Sequence, residues 1–319
     1  MANDMAAYDV IAMGRLGVDL YPLQTRLGLD EVSSFGKFLG GTAANVAVAT
    51  ARHGHHVALV SRTGDDVFGR YLISELGRLG VDSRFVTTVP ELPTPITFCE
   101  IHPPDHFPIT FYRHPKAPDM EIDAAGLDLS AIAGARILWL TVSGLSDEPS
   151  RSAHHAALAA RGSDGLVILD LDYRADFWGD PDRARAEIAD VLPSVDVVVG
   201  NETECEVAVG TRDPDAAAAR LLEAGPDMVV VKQGPKGVFA RRGDDRVSVP
   251  ALQIEILNGL GAGDAFGGAL CHGLLSDWEL ERIIRYANAA GAIVASRLEC
   301  STAMPTPDEV ESLLMEVSQ

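Results

Sequence analysis

Cysteine is scarce in this chain, and basic residues are well outnumbered by acidic ones. Cys99, Cys205, Cys271 and Cys300 are scattered and form no C-x-x-C pair, so neither a zinc site nor a disulfide framework is indicated. Lys and Arg number 26 against 46 Asp and Glu, a formal net charge of -20. That deficit disfavours nucleic acid as a partner, because phosphate backbones recruit cations. A small anionic ligand stays possible, since a few local cations and backbone amides suffice to hold one. Long apolar runs are missing too, so no segment can span a membrane, and Met1 to Asp9 lacks the basic and apolar regions of a signal peptide. A cytoplasmic protein with no membrane partner is the expectation. The G-x-x-x-x-G-K-S/T phosphate loop is absent. The glycines near Gly261 do not fit G-x-G-x-x-G after a strand, which argues against a dinucleotide dehydrogenase. Neither an internal repeat nor a low-complexity linker is present.

The 319 residues, 47% of them hydrophobic, can bury a substantial core as one large α/β domain with a small appended element. Tyr8 to Met13, Thr42 to Arg52, Val57 to Val60 and Asp65 to Leu79 read as strand, helix, strand, helix, an opening that favours a parallel sheet. Residues 86–89, 96–101 and 109–113 read as strands with prolines and turns between them and no helices. They predict a small antiparallel flap, with Leu20 to Leu39 supplying its other strands. From Ile137 the alternation returns, and the tail is helical over 262–275, 279–297 and 308–317.

The run Asn258-Gly259-Leu260-Gly261-Ala262-Gly263-Asp264 carries the most chemistry. Glycines let backbone amides approach a ligand closely. A helix start behind them adds unpaired donors and partial positive charge, a cradle for phosphate. Asp264, at the same spot, is placed to take a proton from an attacking hydroxyl. Gly40-Gly41-Thr42-Ala43-Ala44-Asn45 opens the first helix, either as an ordinary turn or as a place where substrate hydroxyls meet backbone and the Asn45 amide. Asp19 follows the first strand, where open α/β sheets bind ligands, and a carboxylate there can accept polyol hydrogen bonds. Asn201 and Glu204, at another strand end, suit a hydrated Mg²⁺ beside phosphates and equally a helix capping box. Lys232, Gly234 and Gly237 form either a nucleotide-binding turn or a plain hairpin. Arg174, near Asp170 and Asp172, addresses an anion or an internal carboxylate.

Taken together, Gly40-Gly41-x-x-x-Asn45 and Gly261-Ala262-Gly263-Asp264 are far more specific than either alone. With Asn201-x-x-Glu204 and Gly234-x-x-Gly237 in order between them, the chain resembles the ribokinase-like (PfkB) carbohydrate kinases over nearly its whole length. Residues 14–22, Phe111-Tyr112-Arg113, 170–174 and 258–264 are similar to the branch that phosphorylates 5-dehydro-2-deoxy-D-gluconate in myo-inositol breakdown. The resemblance implies a three-layer α/β/α fold with a mostly parallel central sheet. It implies one domain over 1–319, with a β-sheet lid from about 15–40 and 85–115. It implies ATP and Mg²⁺ as cofactors, a monovalent cation as a further one, and a homodimer through the lid. Asp264 would be the base, with the amides of Gly261, Ala262 and Gly263 holding the moving phosphoryl group. Asp19, Gly40, Gly41 and Asn45 would bind the sugar, and Arg113 its carboxylate, with Arg174 nearby and Lys37 and Arg15 as further candidates. Asn201, Lys232, Gly234, Gly237, Gly263 and Asn288 would face the nucleotide, and Asn201 and Glu204 the metal. Where many members have Asp-Thr, this chain has Asn258 and Gly259, and the lysine that ribokinases tend to carry is missing from Thr42 to Ala44. That absence argues against ribose. Kinases of 2-keto-3-deoxygluconate, fructose or a nucleoside, and a non-catalytic sugar-acid sensor, are the alternatives.

Overall fold

The computed structural model describes residues 8–162 and 165–317. Most of the segment read for a signal peptide therefore lies outside the described residues. In chain order the elements begin with β1 (Val10–Met13), β2 (Gly17–Pro22), β3 (Phe35–Gly40), α1 (Thr42–Arg52), β4 (Val57–Gly64) and α2 (Val67–Arg78). Next come β5 (Val81–Asp82), β6 (Val86–Val89), β7 (Ile96–Cys99), β8 (Ile109–Tyr112), α3 (Leu129–Gly134), β9 (Ile137–Thr141), α4 (Ser150–Arg161) and β10 (Leu166–Asp170). The second half adds α5 (Ala175–Trp178), α6 (Pro181–Val191), β11 (Val197–Asn201), α7 (Glu202–Val209), α8 (Pro214–Glu223), β12 (Met228–Lys232), β13 (Val238–Arg242) and β14 (Asp245–Val249). The chain closes with α9 (Ala262–Leu275), α10 (Leu280–Ala295) and α11 (Pro307–Val317).

The central sheet runs β14-β13-β12-β11-β10-β9-β1-β4-β5. It is parallel from β12 to β5, and β13 and β14 join as an antiparallel hairpin at one edge. Its middle strands are buried on both faces, which is why they read as continuous apolar runs rather than alternating ones. The two-residue period of a strand divides their side chains between two cores. Val10, Ala12 and Trp139 pack with residues of α1, α9 and α10. Ile11, Met13, Leu138 and Leu140 pack with residues of α3, α4, α6 and α8. The result is the three-layer α/β/α architecture, with helices on both faces of a mostly parallel sheet.

A second, smaller sheet has the order β3-β2-β7-β8. It differs from the expectation in two ways. Val86–Val89, read as a flap strand, pairs parallel to β4 in the body. The small sheet is also mixed, because β2 and β7 run parallel while the outer pairs are antiparallel. Alternation again sorts its faces: Asp19, Tyr21, Thr97, Cys99, Ile109 and Phe111 point into a large cavity over the body. Leu20, Phe98 and Tyr112 belong to the opposite face by register.

Candidate active site

The cavity measures about 680 Å³ and lies between the small sheet and the carboxyl ends of the central strands. Its floor is the N-terminus of α9. Gly261 is the N-cap, with φ at 81°, a left-handed conformation that favours glycine. A Cβ there would also fall 2.1 Å from the Cys300 sulfur, so no side chain fits the bend. Asn258, fully buried, staples the approach: its Nδ2 donates to the Leu298 carbonyl at 2.7 Å and its Oδ1 accepts from the Leu260 amide at 3.0 Å. The first amides of the helix, at Ala262, Gly263 and Asp264, have no intrahelical acceptor and face an anion-sized space.

The Asp264 carboxylate accepts a hydrogen bond from Asn45 Nδ2 at 2.8 Å, joining residues 219 positions apart. That contact draws the N-termini of α1 and α9 together, and Gly41 lines the cavity beside it. Gly40 does not line the cavity. It makes room for Asp19 instead, since a Cβ on Gly40 would sit 2.1 Å from the Asp19 carboxyl carbon. Burial pushes the Asp264 carboxyl up to about 6, against the opposing hydrogen bond from Asn45 and the fields of Lys232 and Arg15. Burial likewise raises Asp19 to about 7, with Arg15 opposing. A carboxyl poised near neutrality can accept a proton and release it again.

A charged wall stands at the strand ends. Asp172 accepts from Arg174 at 2.8 Å, from Ser143 Oγ at 2.9 Å and from Arg15 Nη2 at 3.1 Å. Burial works against its charge, but the two guanidiniums outweigh burial and hold it below the usual carboxylate range. Asp170 moves the other way, raised by burial while Lys232 opposes. Lys232 stays protonated although burial opposes it, because Asp170, Glu204 and Asp264 hold its charge.

The capping-box reading of Asn201 and Glu204 is realised in full. Asn201 Oδ1 accepts from the amides of Thr203 and Glu204 at 2.9 Å, and Glu204 Oε2 accepts from the Asn201 amide at 2.7 Å. The side-chain oxygen of Asn201 is thus spent on the helix. Among the described residues no cluster of three His, Cys, Asp or Glu could hold a metal ion. A largely hydrated cation, bound mainly through phosphates, would suit such a wall better than one caged by protein ligands.

Asn288 lines the cavity and ties the segment after β14 in place, donating to the Pro250 carbonyl at 2.9 Å. Gly234 and Gly237, in the turn from β12 to β13, line the same end, where Leu252, Ile254, Ile256 and Ala292 form an apolar cleft. Nothing in the sequence marked residues 251–256 or Cys300 as cavity residues.

Arg113 is the clearest departure from expectation. It does not line the cavity; its Nη2 donates to fully buried Asp119 at 2.8 Å and its guanidinium lies 4.5 Å from the Phe177 ring centre. Arg15, a secondary candidate, is the arginine that lines the cavity together with Arg174. Lys37 points to solvent over the Tyr71 ring.

Known proteins are similar to this chain over nearly its whole length. The 5-dehydro-2-deoxygluconokinase of Photobacterium profundum is 34% identical over 309 residues, covering 94% of this chain and 92% of that protein. A double-mutant fructokinase from Vibrio cholerae O395, solved with fructose, ADP and potassium ion, superposes with a TM-score of 0.84 at 26% identity over 97% of this chain and 99% of that one. The aminoimidazole riboside kinase from Salmonella enterica, complexed with aminoimidazole riboside and an ATP analogue, gives a TM-score of 0.79 at 26% identity over 96% and 99%. The model of the pfkB family carbohydrate kinases matches residues 8–307, and the chain belongs to that family.

Proposed function

We propose that this ATP-dependent sugar kinase transfers the γ-phosphoryl group to a primary hydroxyl of 5-dehydro-2-deoxy-D-gluconate. The observation that carries the reading is one cavity in which the Asp264 carboxyl and the α9 N-terminus face Asp19, Asn45 and a pair of guanidiniums. The Photobacterium relative's name supports the choice of acceptor.

In this reading Asp19, Gly41 and Asn45 orient the sugar hydroxyls, and Asp264 takes the proton of the attacking one. The amides of Ala262 to Asp264 stabilise charge on the phosphoryl oxygens, and Lys232 adds a fixed cation. Phosphoryl transfer asks mainly for such positioning and electrostatics. One preorganised donor contributes about 3 kcal/mol of transition-state stabilisation. A base adds roughly a hundred- to ten-thousand-fold in rate. The nucleotide base belongs in the apolar cleft beside Asn288, with its phosphates along Gly234, Gly237 and Lys232. Mg²⁺ supplies charge neutralisation of the phosphates when bound, with Glu204 reaching its water shell. A monovalent cation near the bend would rest on backbone carbonyls, because both polar atoms of Asn258 are engaged.

The proposal extends to a homodimer closed over the outer face of the lid. Phe98 packs edge-on against Phe35 and Tyr112 there, and Tyr112 is 63% exposed. Among the described residues no helix is long and apolar enough to cross a membrane, and a cytoplasmic setting is part of the reading. The test is a coupled ADP-release assay on 5-dehydro-2-deoxy-D-gluconate, 2-keto-3-deoxygluconate, fructose and nucleosides. The highest kcat/KM is expected for the first. A higher value for any other acceptor overturns the substrate choice, and binding without turnover of all of them points to a sensor.

A further inference from the structure

Arg15 has hydrogen-bonding capacity that the protein itself does not use. It sits between β1 and β2, is 6% exposed and lines the cavity. Among the described residues its guanidinium donates only through Nη2, to Thr42 Oγ1 and Asp172. Its Nε is buried without a protein partner, and its Nη1 donates to no protein group among the described residues, so Nη1 is the donor left for a ligand in the cavity.

The sharing of Asp172 points the same way. Asp172 is ion-paired to both Arg15 and Arg174, so neither guanidinium has that carboxylate to itself. Asp19 lies on the same cavity wall but forms no ion pair with Arg15 among the described residues. The guanidinium is also held in orientation. Its central carbon lies 5.7 Å from the Phe111 ring centre on β8 and 5.4 Å from that of Phe177. A planar, fixed, partly unpaired guanidinium donates more strongly to a carboxylate than to a neutral hydroxyl.

We infer that Arg15 binds the carboxylate of the acceptor and sets the preference for a sugar acid over a neutral sugar. The assignment rests on the sugar-acid reading above and moves the anion site away from Arg113, which does not line the cavity and whose Nη2 donates to Asp119. Arg174 acts through Asp172, holding in place the carboxylate that orients the Arg15 guanidinium.

The test compares 5-dehydro-2-deoxy-D-gluconate with its neutral carboxamide as acceptors for wild-type enzyme, Arg15→Lys, Arg15→Gln and Arg113→Ala. Wild-type enzyme is expected to favour the acid. In Arg15→Gln the KM for the acid should rise about ten- to a hundredfold, with the acid-to-carboxamide ratio falling toward unity. Arg15→Lys, which keeps the charge but not the fork, should fall between the two, and Arg113→Ala should keep the wild-type ratio. If Arg15→Gln weakens both acceptors by the same factor, the residue is structural and the inference fails while the sugar-acid reading survives. A collapse of the ratio in Arg113→Ala but not in Arg15→Gln also overturns it. Should the Gln variant not fold, the Lys variant decides, and an unchanged ratio there is fatal. Wild-type enzyme with no preference for the acid sinks both readings together.

Discussion

Asp264→Asn should make the protein more stable and nearly inactive. In the native state burial raises this carboxyl from the ordinary 3.8 to about 6. A displacement of that size costs the folded state about 3 kcal/mol when the group is ionised. Asp264 keeps some contact with water at the cavity floor, so the figure is an upper bound. Asn is nearly isosteric and its Oδ1 can still accept from Asn45, so the swap removes the charge and little else. For a chain of this size the gain corresponds to a Tm rise of about 5 °C. The sign follows from linkage. Native Asp264 binds its proton more tightly than unfolded Asp264, so wild-type stability falls as pH rises between 3.8 and about 6. The advantage of the variant should therefore be full above 6 and vanish below 3.8. Urea melts of both proteins across that window measure it, alongside turnover, which should drop roughly a hundred- to ten-thousand-fold. A variant no more stable than wild type at high pH, or one that retains wild-type kcat, refutes the reasoning.

Other consequences are as direct. The acid limb of kcat/KM should show an apparent pKa near 6, activity disappearing as pH falls through it; a limb near 4 would mean that Asp264 is not the titrating base. Gly261→Ala must adopt φ near 81° and crowd Cys300, so it should lose about 1–3 kcal/mol of stability along with most turnover, read by thermal melts and the ADP assay. Arg113→Ala leaves Asp119 buried and unpaired, so urea melts should show a loss of about 3–5 kcal/mol, a larger effect than any on the acceptor KM. Glu204→Gln should raise the Mg²⁺ concentration needed for half-maximal activity while leaving the acceptor KM near its wild-type value, as titration of the metal at fixed ATP would show.

Local chemistry made part of this molecule legible. The small-residue run Thr42–Arg52 and the segment Ala262–Leu275 are helices over those bounds, because Gly41 and Gly261 mark where each can begin. The middle strands were readable from their apolar content, since both faces are covered. Val86–Val89 was misplaced because its short run, with two exposed threonines, carries no mark of its partner; only the three-dimensional path to β4 assigns it to the body. The same limit applies to the arginines. Arg113 on a predicted flap strand looked free, but Asp119, six positions on, claims it. Arg15 was only a further candidate for the substrate carboxylate, because its partner Asp172 lies 157 positions downstream. The Asn201 and Glu204 pair was ambiguous by nature, because a capping box and a metal-facing pair have the same spacing.

The central claim is that phosphoryl transfer occurs at the side-chain-poor bend before α9. A crystal structure with a non-hydrolysable ATP analogue, Mg²⁺ and the sugar acid tests it most directly. The account predicts the terminal phosphate oxygens within about 3 Å of the amides of Ala262 to Asp264, with the acceptor hydroxyl against the Asp264 carboxylate. A terminal phosphate bound elsewhere in the cavity, out of reach of those amides, would contradict it.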